Sequence, residues 1–277
     1  MGNFKLQSAM EYLMTYGWAI LIIAVVLGAL FGLGVFNAGF LTPKVGPGAC
    51  QIERPNGPGT SAHASAQGEC TNGEPDQVAV FNPLSNSYVE ATGVISGSSS
   101  GTISFWMDPK STQPAQSGVF SFAGGNYIGF GSGGLGVDGI GYTGTSTLSN
   151  TWSFVTVTYN GINTVYVNGQ QVYSAAGSFT TNPTVYVGDI AGTSGTTFNG
   201  MISNVQYYNA TLSPAEVLAM YHSGIGVVPS VVGSLVGWWP LNGNPNDYSG
   251  NDQNGQNGAS VGPVVYTNAW QSEYTAP

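Results

Sequence analysis

The residues of this chain that could do chemistry are few and scattered. Its 277 residues include two histidines, His63 and His222, two cysteines, Cys50 and Cys70, and thirteen Asp and Glu. Glycoside hydrolysis needs two carboxyl groups a few ångströms apart, one to protonate the leaving oxygen and one to attack or to activate water. The nearest cluster, Glu69, Glu74 and Asp76, stands in a Pro- and Gly-rich stretch and not at alternating positions of a strand. No HExxH is present, and the glycine-rich runs lack the Gly-Lys-Ser/Thr of a phosphate-cradling loop, so no metal pair or nucleotide site follows from a motif. His222 ends a helical pattern, where the helix dipole favours a cation, and His63 sits in a loop-like run of small residues. The expectation is that the chain is not an enzyme.

One oxygen-rich stretch suits a hard cation. "NDYSGNDQNGQN" offers Asp247, Asn251, Asp252 and Asn254 beside many backbone carbonyls, the kind of donor set that calcium takes. A plain Asn/Gly turn cluster has the same composition, so calcium is the one cofactor suggested and none is required. Cys50 and Cys70 enclose 19 residues rich in Gly and Pro. In an exported chain that spacing suits a disulfide, which would stabilise the fold by roughly 3 kcal/mol on the chain-entropy model. Two unpaired thiols are the alternative, while a metal lacks the CxxC or His pair that would complete four ligands. Asn209-Ala210-Thr211 is the one N-x-S/T sequon, placed in a turn exposed enough for glycosylation.

Composition narrows the partners. Charged residues make up 6% of the chain, the formal net charge is -9, and the only cations are Lys5, Lys44, Arg54 and Lys110. Neutralising phosphates takes clustered Lys and Arg, so nucleic acid is excluded. Forty-two glycines with 12% aromatic residues point to β structure with many turns and not to disorder.

The beginning of the chain is different. From Tyr16 to Phe36 there is no charged residue, a run of 21, or about 31 Å as a helix, close to the thickness of a bilayer core. Apolar residues surround this helix on all sides, and Gly28 and Gly32 form a GxxxG that lets another helix approach. A signal peptide would have a shorter core and a small-residue cleavage site after it, which "FNAGFLTP" does not supply. A lone carboxylate, Glu11, precedes the run. "KLQSAMEYLMTYGWAILII" resembles the class III signal sequence of archaeal type IV pilin-like proteins. The resemblance implies a leader of residues 1–6, cut by a prepilin-type peptidase between Leu6 and Gln7, and a pilin-type helix over 7–40. Glu11 would then be the fifth residue, facing the free amine of a neighbouring subunit at Gln7. Leu6 departs from the small residue that usually ends such leaders. A plain transmembrane anchor is the alternative.

Residues 41–77 read as a neck holding both cysteines. Beyond it, short runs such as "SYVEA", "TISFWM", "WSFVTVTY" and "TVYVG" alternate apolar and polar residues, with hairpin signals at Asn160-Gly161 and Asn168-Gly169. Such spacing predicts an all-β sandwich. In "NATLSPAEVLAMYHSGIG", Ser213, Pro214 and Glu216 predict a capped helix ended by Gly224, with Val217, Leu218 and Tyr221 toward the sheets. Trp238 and Trp239, neighbours in a strand, should face opposite ways, one in the core and one exposed or against the helix. Trp106 and Trp152 are expected in the core.

"SNSYVEA", "GTISFWMDP", "NTWSFVTVTYNGINTVYVNGQQV" and "FNGMISNVQYYNATLSPAEVLAMY" resemble the laminin G-like, or concanavalin A-like, jelly roll over Val78 to Tyr221. The sandwich is therefore expected over 78–233. "SLVGWWPLNGNPNDYSGNDQNGQNG" resembles the family's opening segment yet follows its closing helix, so the tail 234–277 is read as the permuted opening strand completing the sandwich. A truncated second copy, or a strand donated to a neighbour, are the alternatives. The family's "D-SGN-N-G" phrase often accompanies calcium, although Ser203 and Asn204 stand where the family often has aspartate.

Together the resemblances imply a subunit of an archaeal type IV pilus-like filament. Its helix would pack with copies of itself after leaving the membrane, and its lectin-like head would serve adhesion or cell contact through surface glycans. The expected location is a membrane-inserted precursor, then an extracellular filament. A monomeric membrane-anchored carbohydrate-binding protein is the second reading, and a secreted glycanase, lacking an acid pair, the third.

Overall fold

The computed structural model describes residues 16–27, 50–53, 61–64, 75–94, 97–144, 148–226, 228–259 and 262–277. The chain divides into two units, Met1–Gly46 and Pro47–Pro277. In the first, residues 16–27 form helix α1, uncharged throughout and exposed. The described helix is thus shorter than the expected span, and no described helix is long and apolar enough to cross a membrane. Leu6, Gln7, Glu11, Gly28 and Gly32 lie outside the described residues, as does Cys70, so the leader, assembly and disulfide expectations fall there.

The second unit opens with a hairpin of β1 (Cys50–Glu53) and β2 (Ser61–Ala64), in which Gln51 pairs with His63. His63 belongs to a strand and not to a loop. Next come β3 (Val78–Phe81), β4 (Ser87–Ala91), β5 (Gly101–Pro109) and β6 (Ser117–Phe122). Then follow β7 (Tyr127–Gly131), β8 (Gly134–Val137) and β9 (Gly141–Tyr142). β10 (Ser153–Tyr159), β11 (Ile162–Val167) and β12 (Gln170–Ala176) make a meander, turning at Gly161, φ 89°, and at Asn168 and Gly169, φ 50° and 76°. β13 (Val185–Val187) and β14 (Gly200–Tyr208) lead into helix α2 (Pro214–His222). The tail adds β15 (Leu235–Trp239), β16 (Gln256–Ala259) and β17 (Val265–Thr267).

These strands form two antiparallel sheets. The first runs β12-β11-β10-β5-β14-β3-β17, with β15 also on β14, and the second runs β16-β4-β13-β6-β7-β8-β9. β14 is nine residues long and shares one flank between two partners: β3 pairs with Gly200–Ile202 and β15 with Val205–Tyr208. A bulge between Ser203 and Gln206 separates the two pairings. The tail strands therefore pair within their own chain, β16 on β4 and β17 on β3.

Period-2 alternation sends Ile103, Phe105 and Met107 of β5 and Val155, Val157 and Tyr159 of β10 inward. There they meet Phe120, Phe122, Ile128 and Val137 of the second sheet, all at most 1% exposed. The opposite face of the first sheet carries a second apolar layer, in which Trp106, Phe154 and Tyr166 pack under Val217, Met220 and Trp270. Trp106 and Trp152 are buried, but in this layer and not between the sheets. α2 has the expected capping box: Ser213 Oγ accepts from Glu216 N, and Ser213 N donates to Glu216 Oε2 at 2.7 Å. Its buried side chains are Val217 and Met220, while Leu218 and Tyr221 are only half-buried. Leu218 is turned aside because it packs at Gly169, beside the β11–β12 turn. Neither adjacent tryptophan is exposed: Trp239 lies between the sheets, its Nε1 donating to Gln253 O, and Trp238 lies under Tyr248, its Nε1 donating to Asn204 Oδ1.

Candidate functional site

The tail loop places Asp247, Asn251, Asp252 and Asn254 near one another but spends most of them on the loop itself. Asp247, 7% exposed, accepts at Oδ1 from Trp238 N and Ser249 N, both at 2.9 Å. Its Oδ2 accepts from Gln253 N at 3.0 Å and Ser249 Oγ at 2.8 Å. Asn251 donates to Val236 O, and Asn254 Oδ1 accepts from Asp247 N. Only Asp252 points free, with a left-handed backbone, φ 56°. Four donors thus occupy this carboxylate, and their hydrogen bonds act as a staple that ties β15 to the loop. Among the described residues there is no group of three or more His, Cys, Asp and Glu that could hold a metal. Asn209 is exposed, as glycosylation requires, and Thr211 of the sequon donates to Tyr159 O. His222 is exposed at the end of α2 beside the Tyr221 ring.

The described carboxylates meet in one place only in a way that changes their chemistry. Asp108, 0% exposed, lies 3.1 Å from Lys110 Nζ, which also reaches Glu273 Oε2 at 3.2 Å. Burial lifts the Asp108 carboxyl to about 6, with Glu273 adding to the rise and Lys110 opposing it. The same contacts hold Glu273 below its usual range. These are opposite shifts in a pair of acids, but a carboxyl with no exposed surface cannot touch a glycosidic oxygen in this arrangement.

On the outward face of the second sheet, part of which stays exposed among the described residues, aromatic and polar groups share a surface. Strand register sets Gln256, Glu90, Tyr186, Ser121 and Tyr127 side by side across five strands. Their strand neighbours Val89, Ala91, Val185 and Val187 point to the core, so the alternation itself turns these residues outward. Two of the five are closed off. Ser121 donates to Asp189 O and accepts from Ala191 N, which draws the loop after β13 over it. Tyr127 is buried, sharing a hydrogen bond with the Tyr142 hydroxyl.

Tyr88, Glu90 and Tyr186 stay half-exposed, and Gln256 is exposed. The Tyr88 and Tyr186 rings meet edge-to-face, 5.5 Å between centroids at 66°. Tyr88 lies over Gly258, where any Cβ would run into its ring, and beside Gly192, whose φ of 69° suits glycine. Tyr186 donates its hydroxyl to Glu90 Oε1 at 3.3 Å, and burial together with the Glu90 charge raises its pKa, so the phenol keeps its proton. The result is a ring platform with a fixed acceptor on its rim. Rings stack on the apolar faces of sugars, and Glu90 Oε2, Gln256 and the Tyr88 hydroxyl can meet sugar hydroxyls. The sequence reading singled out Trp238 and Trp239 among the aromatics and missed Tyr88 and Tyr186. The signal was present as alternation: each tyrosine stands between two residues that the sandwich must bury.

A two-sheet antiparallel sandwich with a helix and tail over one outer face is a jelly roll. Residues 84–218 match the family described as the Concanavalin A-like lectin/glucanases superfamily, the laminin G-like model Laminin_G_3. The matched stretch lies within the one the sequence resemblance marked. Among curated proteins there is no match. Among solved structures, a protein described as carbohydrate-binding from Bacteroides ovatus is similar at 18% identity with a TM-score of 0.52, over 69% of this chain and 62% of that one. The chain thus spans less than two thirds of that protein. A pentraxin from Limulus polyphemus is 15% identical, over 69% of this chain and 94% of its own, at a TM-score of 0.46. Domain 4 of an extracellular arabinanase from Geobacillus stearothermophilus, solved with arabinotriose, is 19% identical over 62% and 87%, at 0.45. At these identities the likeness is one of fold.

Proposed function

We propose that the head binds carbohydrate through the Tyr88–Tyr186–Glu90 face, and that it does so as the outward part of a type IV pilus-like surface filament of the archaeal kind. The observation that carries the binding reading is the pair of half-exposed rings edge-to-face beside a fixed carboxylate acceptor, on the outward face of the second sheet. The filament reading rests on the uncharged run that follows Glu11 and on its resemblance to pilin signal sequences. On this reading the chain is a membrane-inserted precursor that later stands outside the cell, binds copies of itself through its N-terminal helix, and acts by adhesion and not by catalysis. A monomeric anchored lectin uses the same face.

The face is tested by the full chain on a broad glycan array, followed by titration of the best-retained glycan against Tyr186→Ala. Losing one stacking ring should weaken binding about tenfold, the equivalent of roughly 1.4 kcal/mol, with the melting temperature little changed. An array that retains nothing, or a variant that binds as tightly as the parent, removes this face from consideration.

A further inference from the structure

The outward face of the first sheet is the head's other aromatic surface, and its cover fits imperfectly. Along β5, Ser104, Trp106 and Asp108 point outward, and on β10 Thr156 lies opposite Ser104 and Phe154 opposite Trp106. Six buried polar atoms of this face and its surroundings have no protein partner: Ser104 Oγ, Trp106 Nε1, Asp108 Oδ1, Trp152 Nε1, Thr156 Oγ1 and Trp270 Nε1. A permanent internal contact pairs nearly all such groups, because each orphan has lost its water for nothing. Here four of them, three indoles and a carboxylate, gather where the C-terminal segment lies on the sheet.

Helix α2 covers part of this face, its Tyr221 ring stacked 5.9 Å from Trp106, and the C-terminal part of the cover is slight. A 3-10 turn, Ala269–Ser272, seats Trp270 edge-on to Trp152, 6.0 Å between ring centroids, with no exposed surface left. Tyr274 meets Trp106 edge-on at 5.5 Å. Glu273 holds Lys110 through side chains that are 44% and 38% exposed, so solvent weakens the contact. Beside it a cleft of about 260 Å³ opens, lined by Val80, Asn82, Lys110, Asn199, Ala269 and Glu273 among others.

We infer that this face is a second carbohydrate-binding site, which the chain's own C-terminal segment occupies with Trp270 in place of a sugar ring. An indole has one donor and no acceptor, so Trp270 can fill the space without pairing the groups around it. A pyranose fills the same space with an apolar face and carries hydroxyls on its rim. Those hydroxyls can accept from the Trp106 and Trp152 indoles and donate to Asp108 Oδ1. Lys110, released from Glu273, becomes a further donor. The ligand class is a neutral oligosaccharide, since an acidic sugar would meet Asp108 in a chain of net charge -9. Because segment and sugar compete, the apparent affinity is the intrinsic one reduced by the fraction of molecules in which the segment is lifted. The inference rests on the reading of the head as a glycan binder but concerns a different face, so the two separate experimentally.

The experiment uses the full chain in detergent carrying Tyr88→Ala and Tyr186→Ala, which removes both rings of the first face, with cellohexaose, laminarihexaose and maltohexaose as probes. Weak binding of at least one hexaose should remain. Adding Glu273→Gln, which loosens the segment without altering the sheet, should tighten it about two- to fivefold. Amides of residues 269–276 should exchange faster in that variant and faster still with sugar. Trp152→Phe, which keeps an aromatic ring but removes the indole donor, should weaken binding while preserving the melting temperature. Absence of hexaose binding with Glu273 or Gln at that position overturns the inference, and so does binding that neither Glu273→Gln nor Trp152→Phe changes. If Tyr186→Ala alone changes nothing while Trp152→Phe abolishes binding, the first face fails and the second stands.

Discussion

Asp108 is held furthest from water of the described carboxylates near a cation, and its titration should be visible in stability. Its carboxyl is lifted from an ordinary 3.8 to about 6, chiefly by burial. The folded state therefore holds this proton more tightly than the unfolded chain does. The stability it contributes is complete below about pH 4 and is lost as the pH rises through 6, a fall of roughly 3 kcal/mol for a shift of that size. Glu273, held below its usual range, acts in the opposite sense, but it is too exposed to offset this. Asp108→Asn keeps the shape and removes the titration. In urea melts from pH 4 to 7, the stability of the parent relative to the variant should fall by that amount, and parallel curves would contradict the burial argument. No sequence pattern announced this residue, because Lys110 and Glu273 are 163 positions apart and only the fold brings them together. Tyr88 and Tyr186 carried a signal by contrast, the strict alternation of their strands, although the sequence reading passed over it.

The elements themselves were written locally. The helix over Pro214–His222 follows from Ser213, Pro214 and Glu216, and the β10–β11–β12 meander from two Asn-Gly pairs. The glycine-rich β8 and β9 were not foreseen: "GLGV" and "GY" carry too few apolar side chains to show a period, and neighbouring strands impose their extension. The loop after β15 was foreseen as oxygen-rich, but its oxygens face inward to backbone donors. Asp247→Ala would leave Trp238 N and Gln253 N, both of buried residues, without their acceptor. Orphaned buried donors are costly, so this change should lower stability by roughly 3 kcal/mol. On the same reading, calcium or a chelator should leave the melting temperature of the parent where it is. A chelator-sensitive transition would show that a cation displaces those hydrogen bonds.

At the scale of the molecule, the tail pairs β15, β16 and β17 with strands of both sheets in the same chain, which closes β14's flank without a neighbour. No local pattern could decide between that and donation to another copy, because strand pairing partners are set by the whole topology. On the filament reading proposed above, assembly falls to the N-terminal apolar stretch, and there the proposal turns on one charge. In a bundle of uncharged helices a carboxylate alone is expensive, as is an ammonium alone, and bringing them together removes most of either cost. If the chain is cut after Leu6, the amine of Gln7 on one subunit can meet Glu11 on the next. Glu11→Gln keeps the size of the side chain and its tolerance of the membrane but cannot form that ion pair. Expressing cells should then carry surface fibres reduced by about tenfold or more, the effect of losing roughly 1.4 kcal/mol or more per contact, while the head retains its melting temperature. Mass spectrometry of the parent should find a chain starting at Gln7. Fibres in normal number from Glu11→Gln, or a mature chain starting at Met1, would leave the anchored lectin as the reading that stands.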